Sequence, residues 1–410
     1  MKKSIYTLVL VLAAASAVHA RDYITSSLGW TVDLDMYGLP EKSSGLSWRN
    51  LTISPYVEVL WGYDSNPPLA HNWDKSSMAV TATAGATLSY SSLSKKADLS
   101  GNIYYSMDRY QSRAKDNRES FGEQLSLRYA TPGGYYVNVS EGFVRGMTSN
   151  YSTGDSADRD TWNLGLVIGH ASPRSRWDYS VNAGYESTSY ESNYYNNNEA
   201  FTGGFRLARD LTAKTMLNLS GGYSYRTSSN TDNMQVYNLQ VGLNSRLLPK
   251  VTYSISGGLQ YSRSSNGWSA WSPAYNMSMG WKISQKLSAS LFGSSWIQPS
   301  EIASRYYGTQ NYASLYYTLG TAVNYIPVRR LSTTAQLLYR RANYKYMGDT
   351  TTGVLNNSGD DLYMARLAAS VSLTRFLSLV ASMQYQTTFS DIKAKDYDQL
   401  TATLGLRLKY

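Results

Sequence analysis

From about residue 52 onward one pattern recurs: apolar and polar side chains alternate for about fourteen to sixteen residues, a break intervenes, and the alternation resumes. Leu217, Leu219, Gly221, Tyr223 and Tyr225 alternate with Asn218, Ser220, Gly222, Ser224 and Arg226. Tyr237, Leu239, Val241 and Leu243 alternate with Asn238, Gln240, Gly242 and Asn244. Successive side chains of a strand point to opposite faces, so a period of two gives each strand one apolar and one polar face and excludes an amphipathic helix. Strands are expected at 52–65, 77–92, 96–111, 119–131, 134–148, 159–172, 175–190, 197–209, 213–227, 232–247, 250–264, 269–284, 286–298, 309–326, 329–346, 361–374, 376–389 and 395–410. That is about eighteen strands, with sixteen also compatible.

Strand length decides between two kinds of β protein. Strands of a water-soluble sandwich or β-helix are usually near five or six residues and turn their apolar faces to a core. A strand tilted through a bilayer needs about ten. The breaks also alternate in length. Short ones hold Pro132-Gly133, Pro173-Arg174, Pro249-Lys250 and Pro327-Val328; long ones run from Pro67 to Asp74, Thr148 to Asp158, Pro299 to Tyr307 and Met347 to Gly359. Short turns on one rim and long loops on the other belong to bacterial outer-membrane barrels, with the short rim periplasmic. The expected fold is therefore all-β, a transmembrane antiparallel up-and-down β-barrel with short periplasmic turns, longer extracellular loops and both chain ends in the periplasm.

Composition agrees with this expectation. The 37 Tyr and 10 Trp, against 7 Phe, suit two interfacial aromatic girdles. Mean hydropathy is −0.38, and beyond residue 20 no run approaches the roughly 20 apolar residues of a spanning helix. The absence of cysteine from the 410 residues removes disulfides and thiol chemistry.

The two ends of the sequence carry export signals. Lys2 and Lys3, the apolar run Leu8 to Ala15 and Val18-His19-Ala20 read as a secretory signal peptide over residues 1–20. Residues 21–51 break the strand series and are expected to form an extension that is periplasmic or enters the lumen. At the other end Leu404, Leu406, Leu408 and Tyr410 share one face, opposite Gly405, Arg407 and Lys409. That pattern resembles the signal read by the barrel-assembly machinery. The lipid bilayer and lipopolysaccharide are the expected surroundings, in the bacterial outer membrane.

The formal charge of +9 is spread through alternating segments and not gathered in a stripe or tail, so nucleic acid is not an expected partner. Strand parity points Arg128, Arg206, Arg226, Arg246, Lys282, Arg340, Arg366, Arg407 and Lys409 inward, with Glu58, Asp64, Asp108, Asp178 and Glu186. Arg or Lys facing lipid near the midplane costs about 2–4 kcal/mol, so this parity is itself an argument for a wet interior. The lumen is expected to be mixed and mildly positive, and inward Tyr56, Tyr104 and Tyr316 to offer faces on which sugars can stack. Arg–acid ladders that brace the wall are the structural alternative.

Little points to an enzyme. Beyond residue 20 the only histidines are His71, in the first long loop beside Asn72 and Asp74, and His170, at a short-turn strand end on the outward parity where a girdle residue belongs. Neither has a nucleophile motif around it. Asp155 with Asp158, and Asp360 with Asp361, are expected on loops as solvated pairs. No cofactor or metal is expected: Asp64 and Asn66 before Pro67-Pro68 suit a turn that bonds backbone groups, and fall short of an oxygen cage. A minor alternative is a barrel hydrolase with its site in the loops near His71.

Residues 55–67, P-Y-V-E-V-L-W-G-Y-D-S-N-P, resemble the β-barrel porin family associated with exopolysaccharide and exosortase loci. In that family the first strand carries an aromatic, Asp, a small or polar residue and Asn at its outer end, matched by Tyr63, Asp64, Ser65 and Asn66 and followed here by Pro67. The stretch Tyr104 to Tyr110, with Asp108-Arg109-Tyr110 and then Asn117, is similar to the family's third strand and loop. These motifs lie in the first quarter of the chain; beyond them the resemblance is one of architecture. It implies an outer-membrane channel for small hydrophilic solutes or for export of polysaccharide. A non-conducting receptor or structural barrel, working through loops such as Tyr190 to Asn198, is the alternative.

Overall fold

The computed structural model describes residues 46–410 except 49, 67–75, 93, 95, 113–116, 150–155, 173–174, 192–196, 230–232, 266, 300–311, 347–358 and 392–395. The expected signal peptide, most of the expected extension, Pro67, His71 and Asp155 lie outside the described residues. These form strands β1 (Leu46–Trp48), β2 (Leu51–Asp64), β3 (Ser77–Ser91), β4 (Ala97–Tyr110), β5 (Arg118–Ala130), β6 (Tyr135–Ser149), β7 (Ser156–His170), β8 (Trp177–Tyr190), β9 (Asn198–Thr212) and β10 (Thr215–Ser228). There follow β11 (Met234–Leu248), β12 (Val251–Ser264), β13 (Ser269–Lys282), β14 (Leu287–Pro299), β15 (Tyr312–Val328), β16 (Leu331–Tyr346), β17 (Gly359–Ser372), β18 (Leu377–Ser390) and β19 (Tyr397–Lys409).

Each of β2 to β19 pairs antiparallel with its neighbours in sequence, and β19 returns to β2 in the register Thr401↔Asp64 to Lys409↔Tyr56. The result is a closed barrel of eighteen strands, with β1 a short extra strand hairpinned onto the start of β2. Closure pairs the last wall strand with the first, so the sheet has no terminal strand left as a free edge in lipid, where no water is present to bond it.

Alternation sets which face meets lipid. Leu239 (54% exposed), Val241, Ile255, Leu259 and Leu406 stand outward in a belt, while the residues between them line the interior. Above the belt, at the long-loop rim, aromatics meet across strands: Trp162 with Tyr185 (5.5 Å) and Tyr185 with Phe201 (4.9 Å), then Tyr223 with Tyr237 (5.0 Å) and Tyr261 with Trp271 (4.9 Å). At the short-turn rim His170 is held between Tyr135 (4.8 Å) and Tyr179 (5.3 Å), a girdle position. Such rings bridge apolar lipid and water, and cross-strand pairing fixes the register beneath them. Short turns use the expected residues, with Gly134 at φ 93° in the turn that Pro132 begins.

Two expectations are corrected. Asp158 lies on β7, and Asp360 and Asp361 on β17, so none of the three is a loop residue. The strands simply continue above the girdle, where carboxylates are held across strands: Arg145 Nε donates to outward Asp160 at 2.8 Å, Arg341 pairs with outward Asp361 at 2.5 Å, and Ser390 Oγ donates to inward Asp360.

Candidate functional site

The interior wall is tied most densely where the barrel closes. Glu58 and Arg407 are direct cross-strand partners on β2 and β19, both inward, with Arg407 Nε 2.5 Å from Glu58 Oε2. At the long-loop end, fully buried Asp64 accepts from the Asn66 backbone N–H (2.9 Å) and from Gln399 Nε2 (2.9 Å). Asn66 Nδ2 donates to the Asp398 carbonyl at 3.0 Å, and Ser65 exchanges bonds with Leu400 through its backbone N–H and its Oγ. At the other end the Tyr410 N–H donates to the Pro55 carbonyl (3.0 Å) and its ring stacks on Phe376 at 5.5 Å. The Tyr63 to Asn66 motif is thus a turn that bonds its own backbone, as its sequence suggests, and also a clasp on the last strand. The second half of that role needs a partner more than 330 residues away, which no local pattern reveals.

Elsewhere the inward cations divide into two groups. On β4 to β10 they sit among acids and rings. Arg118 is opposite Asp108, which accepts from Thr81 Oγ1 at 2.6 Å. Arg128 lies 5.2 Å over Tyr136, and Arg226 reaches Glu186 at 3.7 Å across the small Ala200. Asp178 and Arg206 share the inward face of β8 and β9 as diagonal neighbours, opposite Ala208 and Ser180 respectively.

From β11 to β16 the only charged inward positions are the cations Arg246, Lys282 and Arg340, set among Ser, Thr, Asn and Gln and apolar and aromatic residues such as Met234 and Trp296, and among the described residues there is no acid. Arg366 follows on β17. Ser278 is exposed on this inward face, so water reaches the wall there. The lumen is braced on one side and basic and hydroxyl-rich on the other.

The inward aromatics lie along the wall. Tyr56 covers Gly85 and Tyr104 covers Gly122, each so closely that a Cβ on the glycine would stand 2.6 Å and 2.4 Å from the ring. Each ring thus lies along the wall over its glycine. Trp296 and Tyr316 stack at 5.1 Å with planes 21° apart, and the Arg340 guanidinium lies 5.5 Å over Tyr316. The sequence reading omitted Trp296, although extending the β14 parity two steps from Phe292 would have reached it.

Among the described residues no three His, Cys, Asp or Glu side chains are grouped as a metal site. His170 Nε2 is 3.2 Å from the Gly133 carbonyl, in the girdle and away from the lumen.

A family model described as "Putative beta-barrel porin 2" matches residues 237–410, which run from β11 to the end of the chain and lie outside the first-quarter motifs. No curated protein sequence matches. Among solved structures the chain is similar to the outer membrane protein OpdK of Pseudomonas aeruginosa, at 11% identity and a TM-score of 0.47, covering 87% of this chain and 99% of that one. It is also similar to OccK9 (OpdG) of Pseudomonas aeruginosa, at 11% identity and 0.47, covering 88% and 99%. For the FrpB iron transporter of Neisseria meningitidis the values are 11% and 0.47 over 84% of this chain, which spans 63% of that protein.

Proposed function

We propose that this chain, whose strands from β11 onward carry the sequence pattern of a β-barrel porin family, is an outer-membrane channel for hydrophilic solutes. Its preference is for anionic or hydroxyl-rich ones, with a polysaccharide in export as the natural polymer of that chemistry. The observation that carries this reading is the one-sided lumen: across six consecutive strands every charged inward side chain is a cation, set among amides, hydroxyls and apolar residues, and among the described residues there is no carboxylate. A wall of that composition raises the local concentration of anions within a Debye length, about 10 Å at 0.1 M salt. The stacked Trp296 and Tyr316, beside Arg340, offer a ring face to a sugar and a cation to its charge. The barrel supplies a passage and needs no reaction.

Purified protein in a planar bilayer should show steps of stable conductance with a weak anion preference. Replacing Arg246, Lys282 and Arg366 by Glu should move the reversal potential toward cations at low salt, and less at high salt. Arg226 is a poorer choice because Glu186 already meets it. Folded protein that never conducts would overturn the channel and favour the receptor barrel; conductance with selectivity unchanged by the triple substitution would remove the basic sector from the path.

A further inference from the structure

One seam of the wall is unlike the others. The β12–β13 ladder runs to Arg263↔Ser269 and the β14–β15 ladder to Pro299↔Ala313, yet between β13 and β14 pairing stops at Asn276↔Ser294. It is the shortest ladder in the barrel wall, and it leaves Ser269–Tyr275 of β13 and Ser295–Pro299 of β14 unladdered toward each other. At the point of parting, the Ser295 side chain replaces its backbone: the Tyr275 N–H donates to Ser295 Oγ (3.0 Å), and Ser295 Oγ donates to the Pro273 carbonyl (3.0 Å). Two residues further along the same edge, Pro273 has no N–H to offer a returning strand. A serine hydroxyl that ties the two strands in place of ladder pairing, with a proline beyond it, therefore marks the end of the ladder inside the membrane-spanning wall, where an open edge is otherwise avoided.

Behind this seam the lumen becomes apolar. Met234, inward on β11 and 2% exposed, packs on Ala313 of β15, with Val236, Trp268 and Ile297 around them. Ala313 and Ile297 have outward parity, so their contact with inward Met234 requires the described ends of β14 and β15 to lean inward and set these two side chains against β11. In front of the seam, on the lipid side, Trp271 is 70% exposed, and Tyr275 and Tyr317 stack at 6.3 Å. An apolar surface thus continues from lipid, through the place where backbone pairing fails, to the apolar Met234 patch on the lumen side.

We propose that the β13–β14 seam is a lateral portal through which an acyl-chain amphiphile with an anionic or hydroxyl-rich head passes between the membrane and the lumen, with Ile297 of β14 and Ala313 of β15 on its inner side. The chain of such a molecule meets Met234, Val236 and Ile297; its head meets the basic sector. This sideways route goes beyond the end-to-end channel and fails or stands separately from it.

The test uses the full chain in phospholipid vesicles that hold a diazirine-bearing long-chain fatty acid in the bilayer, with albumin outside to remove aqueous probe. After illumination, peptide mapping should find label on Met234 and Val236 above the level on Gln240 and Ser256, which face inward beside intact ladders. The chain has no cysteine, so a Met234→Cys/Ala313→Cys pair reacts only with itself; once oxidised it should abolish the Val236 label while leaving Trp271 labelled, and reductant should restore it. Ser295→Ala, which removes both bonds by which Ser295 still ties β14 to β13 at the point of parting, should widen the seam and raise the label on Met234 and Val236, and covers the case in which the cysteine pair does not fold. Val236 labelled no more than Gln240, label unmoved by the oxidised pair, or label unchanged in Ser295→Ala would each overturn the portal. Conductance in the same preparation reads the channel alone, so the two proposals cannot be confused.

Discussion

Arg407 and Glu58 show how a single residue contributes to closing a barrel. Glu58 is 4% exposed at its side chain and Arg407 20%, so their attraction is little screened, and each would be costly to leave alone. Arg407→Met, which removes one partner, should lower stability by roughly 3 kcal/mol, whereas adding Glu58→Gln to it should recover most of that loss, because no buried charge is then stranded. Urea unfolding midpoints in phospholipid vesicles, taken as a double-mutant cycle, read this directly; equal loss in the single and double variants would mean that the pair is wetted and of little energetic weight. The same scale explains what parity alone could not assign. Parity pointed Arg226 and Arg407 inward, but only the assembled wall showed that Glu186 and Glu58 meet them, because a salt bridge depends on register between strands and not on either strand's own pattern.

For a strand the governing quantity is which face meets lipid. Leu239 stands outward in the belt and Ser278 stands inward and exposed. Leu239→Arg should cost about 2–4 kcal/mol by placing a charge in hydrocarbon, and Ser278→Arg should be close to neutral because its side chain points to water. The heat-modifiable fraction after refolding into vesicles separates the two; equal damage would mean that the facing is inverted. Strand bounds and facing were legible because period two is local and survives any tertiary arrangement. The strand ends were less so. At Asp158, Asp360 and Asp361 charged residues suggested loops, yet backbone pairing continued past the membrane, since a wetted carboxylate on a paired strand carries little penalty and cross-strand Arg341 holds Asp361.

The whole molecule depends on β19 meeting β2. Deleting residues 400–410 removes the partner of Tyr56 to Asp64, the Arg407–Glu58 pair, the Leu400 bonds to Ser65 and the Tyr410 bond to Pro55. It would leave long open edges in lipid, which no membrane structure tolerates. Membrane-inserted, heat-modifiable barrel should therefore be lost. Its survival in the membrane fraction would mean that β18 closes on β2 and that the last strand is dispensable.

By itself the sequence determined the strand series, the facing of nearly every side chain, the two rims and the aromatic girdles, because each follows from side-chain alternation and from turn residues read over a dozen positions. Only the tertiary structure decided the register in which the ends meet, the clasp of Asp64 and Asn66 on Gln399 and Asp398, and the division of the lumen into a braced and a basic side. It alone also decided the parting of β13 from β14, where β14 looks as regular in sequence as its neighbours. Alternation tells each strand which way to face. It does not tell a strand how far to stay beside its partner, since that depends on hydrogen bonds exchanged between chains of residues distant in sequence and on what the strand ends can pack against once the barrel has closed.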